Sequence, residues 1–302
     1  MGLVRNLVRS KNEKKKNEGI YVSYKNMIFY GATGKSALIG GLSENMDSPI
    51  LILSPAGGSE KIEQEFSNTI SYPVRSIDEL NKIYKDTLSD FNTIRALQKV
   101  LVENDATRID SAKKHYGEEW DEILEMAISG RLPISAIVLE EVSTISNWLQ
   151  QELEDEMGKT HLGEDKGDLG VDWNKFSRTV MDFYTKFLNL PITTILNTGE
   201  IHPKEKQKLT QIIPDLCSGG ASRRLTDLVG NVFYCNKTDD GKYFVRLTKN
   251  KDIFAKDKLL PVKTTLKLES EIDVTGNPSA FWEYVSEITT DIIKTKNKKE
   301  SK

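Results

Sequence analysis

The sequence predicts an α/β protein built on a mainly parallel sheet, and three observations carry that expectation. Four short apolar runs, Asn26 to Tyr30, Ile50 to Leu53, Ile134 to Leu139 and Ile192 to Leu196, are separated by longer helix-forming stretches. Runs of this length without alternation are what strands covered on both faces by crossover helices look like. A glycine turn stands directly after the first run, where Gly34-Lys35-Ser36 leads into a helical segment, Ala37 to Leu42. The 302 residues, 38% hydrophobic and 29% charged, suffice for one large core or two modest ones, and exclude a fibrous or wholly disordered chain.

The first run ends at Gly31, and the helix after it is read in spite of Gly40 and Gly41. The second run is closed by Pro55, Gly57 and Gly58. From Ile77 to Gly130 the chain is polar and mostly helix-forming, which predicts a helical insert at about 85–132 between core strands. The third run ends on paired acids, Glu140-Glu141. Gly158 to Gly170, with four glycines, is a candidate mobile loop. The fourth run ends at Asn197-Thr198-Gly199-Glu200. Val232 to Cys235, a turn at Asp239-Asp240-Gly241 and Tyr243 to Leu247 predict a C-terminal antiparallel hairpin. Beyond Glu269, a helix holding Phe281, Trp282, Tyr284 and Val285 has the aromatic content to pack on the core. The organisation expected is a basic tail at 1–18, a core at 19–265 with its insert, a helical extension at 266–290 and a second basic tail at 291–302.

The net charge of −3 hides a segregation. Residues 1–18 sum to +4 and residues 291–302 to +3, so the body between them carries −10. Within the body, residues 140–172 hold ten acids against two bases, while 202–258 hold twelve bases against seven acids. A division of this kind can guide a polyanion to one face. Phe233, Tyr234, Tyr243, Phe244 and Phe254 lie among those bases and are candidates to stack on nucleic-acid bases, although alternation in the hairpin makes about half of them core. No stretch approaches the roughly 18 apolar residues of a membrane span, and the basic N-terminus lacks the apolar core of a secretory signal, so no membrane and a cytoplasmic location are expected. Cys217 and Cys235 make no disulfide framework, and His115, His161 and His202 are too dispersed for a metal-ligand spacing.

The chemistry sits on the glycine turn. A phosphate loop works because consecutive backbone N–H groups and a helix N-terminus wrap the phosphates, a lysine meets the terminal charges, and a hydroxyl holds magnesium. Gly31-Ala32-Thr33-Gly34-Lys35-Ser36 offers these parts, but is two residues shorter than the usual G-x-x-x-x-G-K-[ST] spacing. Glu140, at the end of an apolar strand, is placed to hold the metal, and Glu141 to polarise an attacking water; an N-terminal role in the helix that comes next is the alternative for both. Asn197 to Glu200 lies where polar side chains could sense a terminal phosphate, or could simply cap its strand.

Taken in order, these segments resemble the RecA-type core of phage-encoded nucleotide-binding proteins, the AAA ATPase group that includes single-strand-annealing ATPases related to the RecA and RadA recombinases. The resemblance runs from about Asn26 to Lys258. It rests on Tyr30-Gly31 and Gly34-Lys35-Ser36, on Ile137 to Glu141 with Ser143, on Trp173, Leu190-Pro191 and Ile195, on Pro214 to Leu225, and on Ala255-Lys256-Asp257-Lys258. It implies a RecA-like P-loop NTPase core that binds ATP and Mg2+ and assembles as a homo-oligomeric ring or filament on single-stranded DNA in recombination, annealing or replication. A single-strand-binding protein is a further implied partner, and the host cytoplasm the implied location. Carried over by position, Lys35 and Ser36 hold phosphate and magnesium, Glu140 stands at the strand-end acid, and Lys256 reaches across a subunit interface; a solvated turn at Ala255 to Lys258 is the alternative for that lysine. This sequence departs from the group's pattern in its short loop, in Glu rather than Asp at position 140, and in Ser54-Pro55-Ala56-Gly57-Gly58, which lacks the catalytic acid sought there and leaves Glu60 or Glu141 as substitutes. A non-hydrolysing RecA-like scaffold for nucleic acid or a phage protein is the alternative. A packaging or helicase motor would need an arginine finger, for which only Arg223 and Arg224 offer themselves.

Overall fold

The computed structural model describes residues 25–300 apart from 56, 58, 166–169, 203, 206–207, 210, 217–218 and 258–268. The tail at 1–18, Ala56, Gly58, Cys217 and Lys258 lie outside the described residues, and the second basic tail is described only as helix backbone up to Glu300.

Eight strands form one sheet: β1 (Asn26–Tyr30), β2 (Ile50–Ser54), β3 (Thr69–Pro73), β4 (Ala136–Leu139) and β5 (Thr193–Thr198), then β10 (Asn231–Lys237), β11 (Tyr243–Arg246) and β12 (Glu271–Asp273). Four two-residue strands lie between β5 and β10: β6 (Glu200–Ile201), β7 (Lys204–Glu205), β8 (Lys208–Leu209) and β9 (Ile213–Pro214). The order across the main sheet is β12-β11-β10-β1-β5-β4-β2-β3. The six strands from β10 to β3 are parallel, and β11 and β12 complete the edge antiparallel. The α/β class, the parallel sheet and the antiparallel hairpin are as the sequence predicts. β3 is an addition. Its Ser71, Tyr72 and Pro73 break the apolar pattern because it is an edge strand, where a proline at the end forfeits no ladder bond on a second side.

The helices are α1 (Lys35–Ser43), α2 (Glu60–Glu65), α3 (Ile77–Glu103), α4 (Ala106–Tyr116), α5 (Trp120–Ser129), α6 (Val142–Met157), α7 (Val171–Leu188), α8 (Gly219–Leu228) and α9 (Ala280–Glu300). Strand alternation sorts them into two layers. Met27 and Phe29 of β1, with Ile52, Val138 and Phe233, pack against Leu38, Ile39 and Leu42 of α1 and Phe281, Trp282 and Val285 of α9. Ile28 and Tyr30 face the other way, toward α3, α6, α7 and α8, meeting Leu80, Ile145, Phe187 and Leu225 among others. The first layer is closed by α9, whose Trp282 Nε1 donates to the Leu38 carbonyl at 2.6 Å. Gly40 and Gly41 let α1 sit this deep. A Cβ on Gly40 would fall 2.1 Å from the Phe66 ring, and one on Gly41 2.8 Å from the Pro278 backbone.

The insert grows out of one helix. Ser76 caps α3 by accepting from the Glu79 N–H, while the Glu79 carboxylate accepts from the Arg75 N–H. The helix is continuous through residue 85. Ile77, Leu80, Ile83 and Phe91 belong to the main core, whereas Ile94 and Leu97 pack with Trp120, Ile123 and Ala127 of α5 in a small core of their own. Among the described residues, no helix is long and apolar enough to cross a membrane.

Candidate functional site

The site lies where β1 gives way to α1. Gly31 has φ 120, and a Cβ there would stand 2.1 Å from the Cys235 carbonyl oxygen, because β10 runs directly alongside. Gly34, with φ 89 and ψ −12, turns the chain into α1 in the left-handed region. Both glycines of the predicted loop are therefore demanded by the backbone. Lys35 Nζ donates to the Gly31 carbonyl at 2.6 Å, folding the lysine back over the loop. The first turn of α1 carries no side-chain cap and no acid, so its N–H groups and the positive end of its dipole are presented to an anion.

A carboxylate stands beneath the loop. Glu140 directly follows β4, which is separated from β1 by β5, and it is 8% exposed. Ser36 Oγ donates to its Oε1 at 3.3 Å, and Asn197 Nδ2 donates to its Oε2 at 2.7 Å. Asn197 comes from the intervening strand, where it pairs in register with Phe29 of β1. Burial pushes the Glu140 carboxyl above its ordinary range, and the nearby Glu141 charge adds to this. The Asn197 and Ser36 hydrogen bonds and the Lys35 charge oppose it. Asn197 is 1% exposed and its Oδ1 has no hydrogen-bond partner. No family model matches the chain, and no curated protein matches it.

The donor set fits magnesium. A hydroxyl and a carboxylate are hard oxygen ligands, and this ion usually takes one or two protein groups and completes its shell with water and phosphate oxygens. The unpartnered Asn197 Oδ1 offers a further acceptor to such a water. Among the described residues there is no group of three or more His, Cys, Asp or Glu able to hold a metal.

Of the residues singled out in the sequence, Gly31 to Ser36 and Glu140 come together. Ala32 is exposed and Thr33 half-buried, and both line the cavity beside the loop. Glu141 is next to Glu140, half-buried, at φ 50 and ψ 50. It is one of two non-glycine residues in the left-handed region among those described, and its carbonyl accepts from the Thr144 and Ile145 N–H groups. Glu60 is exposed in the first turn of α2, beyond β2. Lys256 is not brought to the loop: its backbone bridges Val232 in the first half of β10, and its Nζ lies 3.3 Å from the carbonyls of Thr226 and Asp227 at the end of α8. Arg223 and Arg224 are exposed on α8. Phe233 and Tyr234 are core residues, since β10 is an interior strand covered on both faces; Tyr243, Phe244 and Phe254 are half-buried.

Two features had only a faint sequence signal or none. Asn197 was visible only as one of three polar residues, with Gly199, at a strand end. A cavity of about 690 Å3 beside the loop is lined also by Tyr243, Val274, Gly276 and Pro278, which no contiguous motif joins. Cys235, buried with its thiol pushed up to about 12 by desolvation, is a packing residue behind Gly31.

Proposed function

We propose that the chain is a nucleoside-triphosphate-binding protein of the RecA-like group, a DNA-dependent ATPase of phage recombination, annealing or replication. One observation carries this: Ser36, at the head of the helix after the glycine loop, and Asn197, on the strand between, both hydrogen-bond the buried carboxylate of Glu140.

In this reading the loop N–H groups and Lys35 hold the terminal phosphates. Ser36 and Glu140 hold magnesium, which would supply charge neutralisation at the phosphates. Asn197 Oδ1 accepts from a water and fixes its orientation. Glu141 takes the proton of the attacking water as general base, and the strained backbone at this residue supports assigning it a role beyond capping. Single-stranded DNA would follow the basic 202–258 segment. Within it, β7 and β8 form a short antiparallel ladder bearing Lys204 and Lys208 on the connection that leaves β5, the strand that carries Asn197. Contacts of this kind are mainly to phosphates and weaken steeply with salt.

The deciding measurement is ATP turnover with and without single-stranded DNA. Stimulated phosphate release that disappears in Lys35→Ala is the expected result, and turnover that survives the substitution refutes the reading. A non-hydrolysing scaffold is favoured by one observation, the lysine folded onto the Gly31 carbonyl in a shortened loop. It predicts neither turnover nor saturable ATP binding.

A further inference from the structure

The cavity beside the loop has two unlike sets of lining residues. One is the loop and the first turn of α1, Ala32 to Leu38, with Lys35 and Ser36; the other, Tyr243, Val274, Gly276 and Pro278, contributes no charged side chain. A volume of about 690 Å3 is within the range of small-molecule sites. A lining that combines charge with aromatic and aliphatic groups matches a nucleotide, whose triphosphate is anionic and whose base is flat and poorly hydrated on its faces.

The Tyr243 side of the cavity is built rather than incidental. The Tyr243 ring comes up against the loop, its Cδ1 3.3 Å from where a Cβ on Gly34 would be. Its backbone is locked to the opposite segment, with the Tyr243 N–H donating to Thr275 Oγ1 at 2.8 Å and the Val274 N–H donating to the Tyr243 carbonyl at 2.9 Å. Lys237 Nζ stands 5.2 Å from the ring centroid, so the ring already serves as a cation–π partner. The turn carrying Gly276 and Pro278 leads into α9 and is pinned to α1 by the Ser279 Oγ hydrogen bond to the Gly41 carbonyl at 3.5 Å and the Trp282 hydrogen bond to Leu38.

We infer that the nucleoside half of the ligand lies in this cavity with its base stacked on Tyr243 and covered by the Val274–Pro278 turn, making Tyr243 the residue that distinguishes a nucleotide from a bare polyphosphate. The inference rests on the Gly31–Ser36 loop holding phosphate.

The test is calorimetry on the full chain with magnesium ATP and magnesium tripolyphosphate, in the wild type, Tyr243→Ala and Tyr243→Phe. Tyr243→Ala weakens ATP binding about tenfold, within the range for loss of one aromatic stack, and Tyr243→Phe stays within about threefold of the wild type. Tripolyphosphate affinity is equal in all three. Equal ATP affinity in the wild type and Tyr243→Ala overturns the base site while leaving the phosphate loop standing. A parallel loss of tripolyphosphate affinity in Tyr243→Ala also overturns it, because the ring would then be shaping the loop. A wild type that binds neither ligand overturns the phosphate-loop reading and this inference with it. If Tyr243→Ala does not fold, Tyr243→Trp decides: its added emission is quenched by ATP and not by tripolyphosphate, and an identical response to both overturns the stack.

Discussion

Ser36 and Glu140, 104 residues apart in the chain, meet through a 3.3 Å hydrogen bond in which the hydroxyl donates to the carboxylate. That contact joins the helix after the glycine loop to the end of a strand two positions away in the sheet.

If this pair holds magnesium, its loss and removal of the metal are the same lesion. ATP binding to the wild type weakens about tenfold when magnesium is chelated, roughly one charge-assisted contact. Ser36→Ala in magnesium matches the chelated wild type and changes little further on chelation. A variant retaining the full magnesium response removes Ser36 from the site.

Glu140 makes stability depend on pH in a stated direction. Its native pKa is raised by burial, so the stabilisation belonging to the protonated form is complete below the ordinary Glu range, near 4.3, and is lost as pH rises through the raised native value. Glu140→Gln does not titrate, and its amide can pair with Asn197 after a flip that turns the unpartnered Oδ1 toward it. Without ligand, the variant melts about 2–4 °C above the wild type at pH 7.5, the scale of ~1 kcal/mol in a domain this large, and the gap closes toward pH 4. Thermal melts at the two pH values check this, and a gap that does not depend on pH contradicts it.

Gly40 opposes helix propensity to packing. Alanine there favours the helix by about 0.8–1.0 kcal/mol, yet its Cβ would meet the Phe66 ring at 2.1 Å. Overpacking of about 1–3 kcal/mol wins, so Gly40→Ala lowers stability. In a Phe66→Leu background the same substitution costs less. Denaturant midpoints for the four proteins measure this coupling, and simple additivity would mean that the ring and the glycine are independent.

Lys256 separates a local role from a distant one. Its ammonium meets carbonyls at the C-terminal end of α8, where a cation contributes about 0.3–1 kcal/mol. Lys256→Met therefore lowers stability by that amount and leaves ATP affinity of the isolated chain unchanged. A drop confined to DNA-stimulated turnover would assign it the intersubunit role that the family resemblance implies.

The sheet was legible because interior parallel strands leave unbroken apolar runs, and Glu140 because an acid ending such a run is conspicuous. Register was not. Nothing in the sequence says that β5 comes between β1 and β4, so nothing singles out Asn197 from Thr198 or Glu200. Lys256 illustrates the same limit: a lysine near a strand reads alike whichever half of the strand it pairs with, and the bridge to Val232 places it away from the loop. The wall of Tyr243, Val274, Gly276 and Pro278 was invisible because its members come from separate segments that meet only through cross-strand pairing.

The hydrogen bond from Trp282 to Leu38 spans 244 residues of chain. On a ribosome, the glycine loop emerges long before β10 and α9 exist to flank it. Newly made chains would carry the glycine loop for most of their synthesis without its native supports. If the loop holds nucleotide as proposed, competence to bind it arises only once the chain extends through α9.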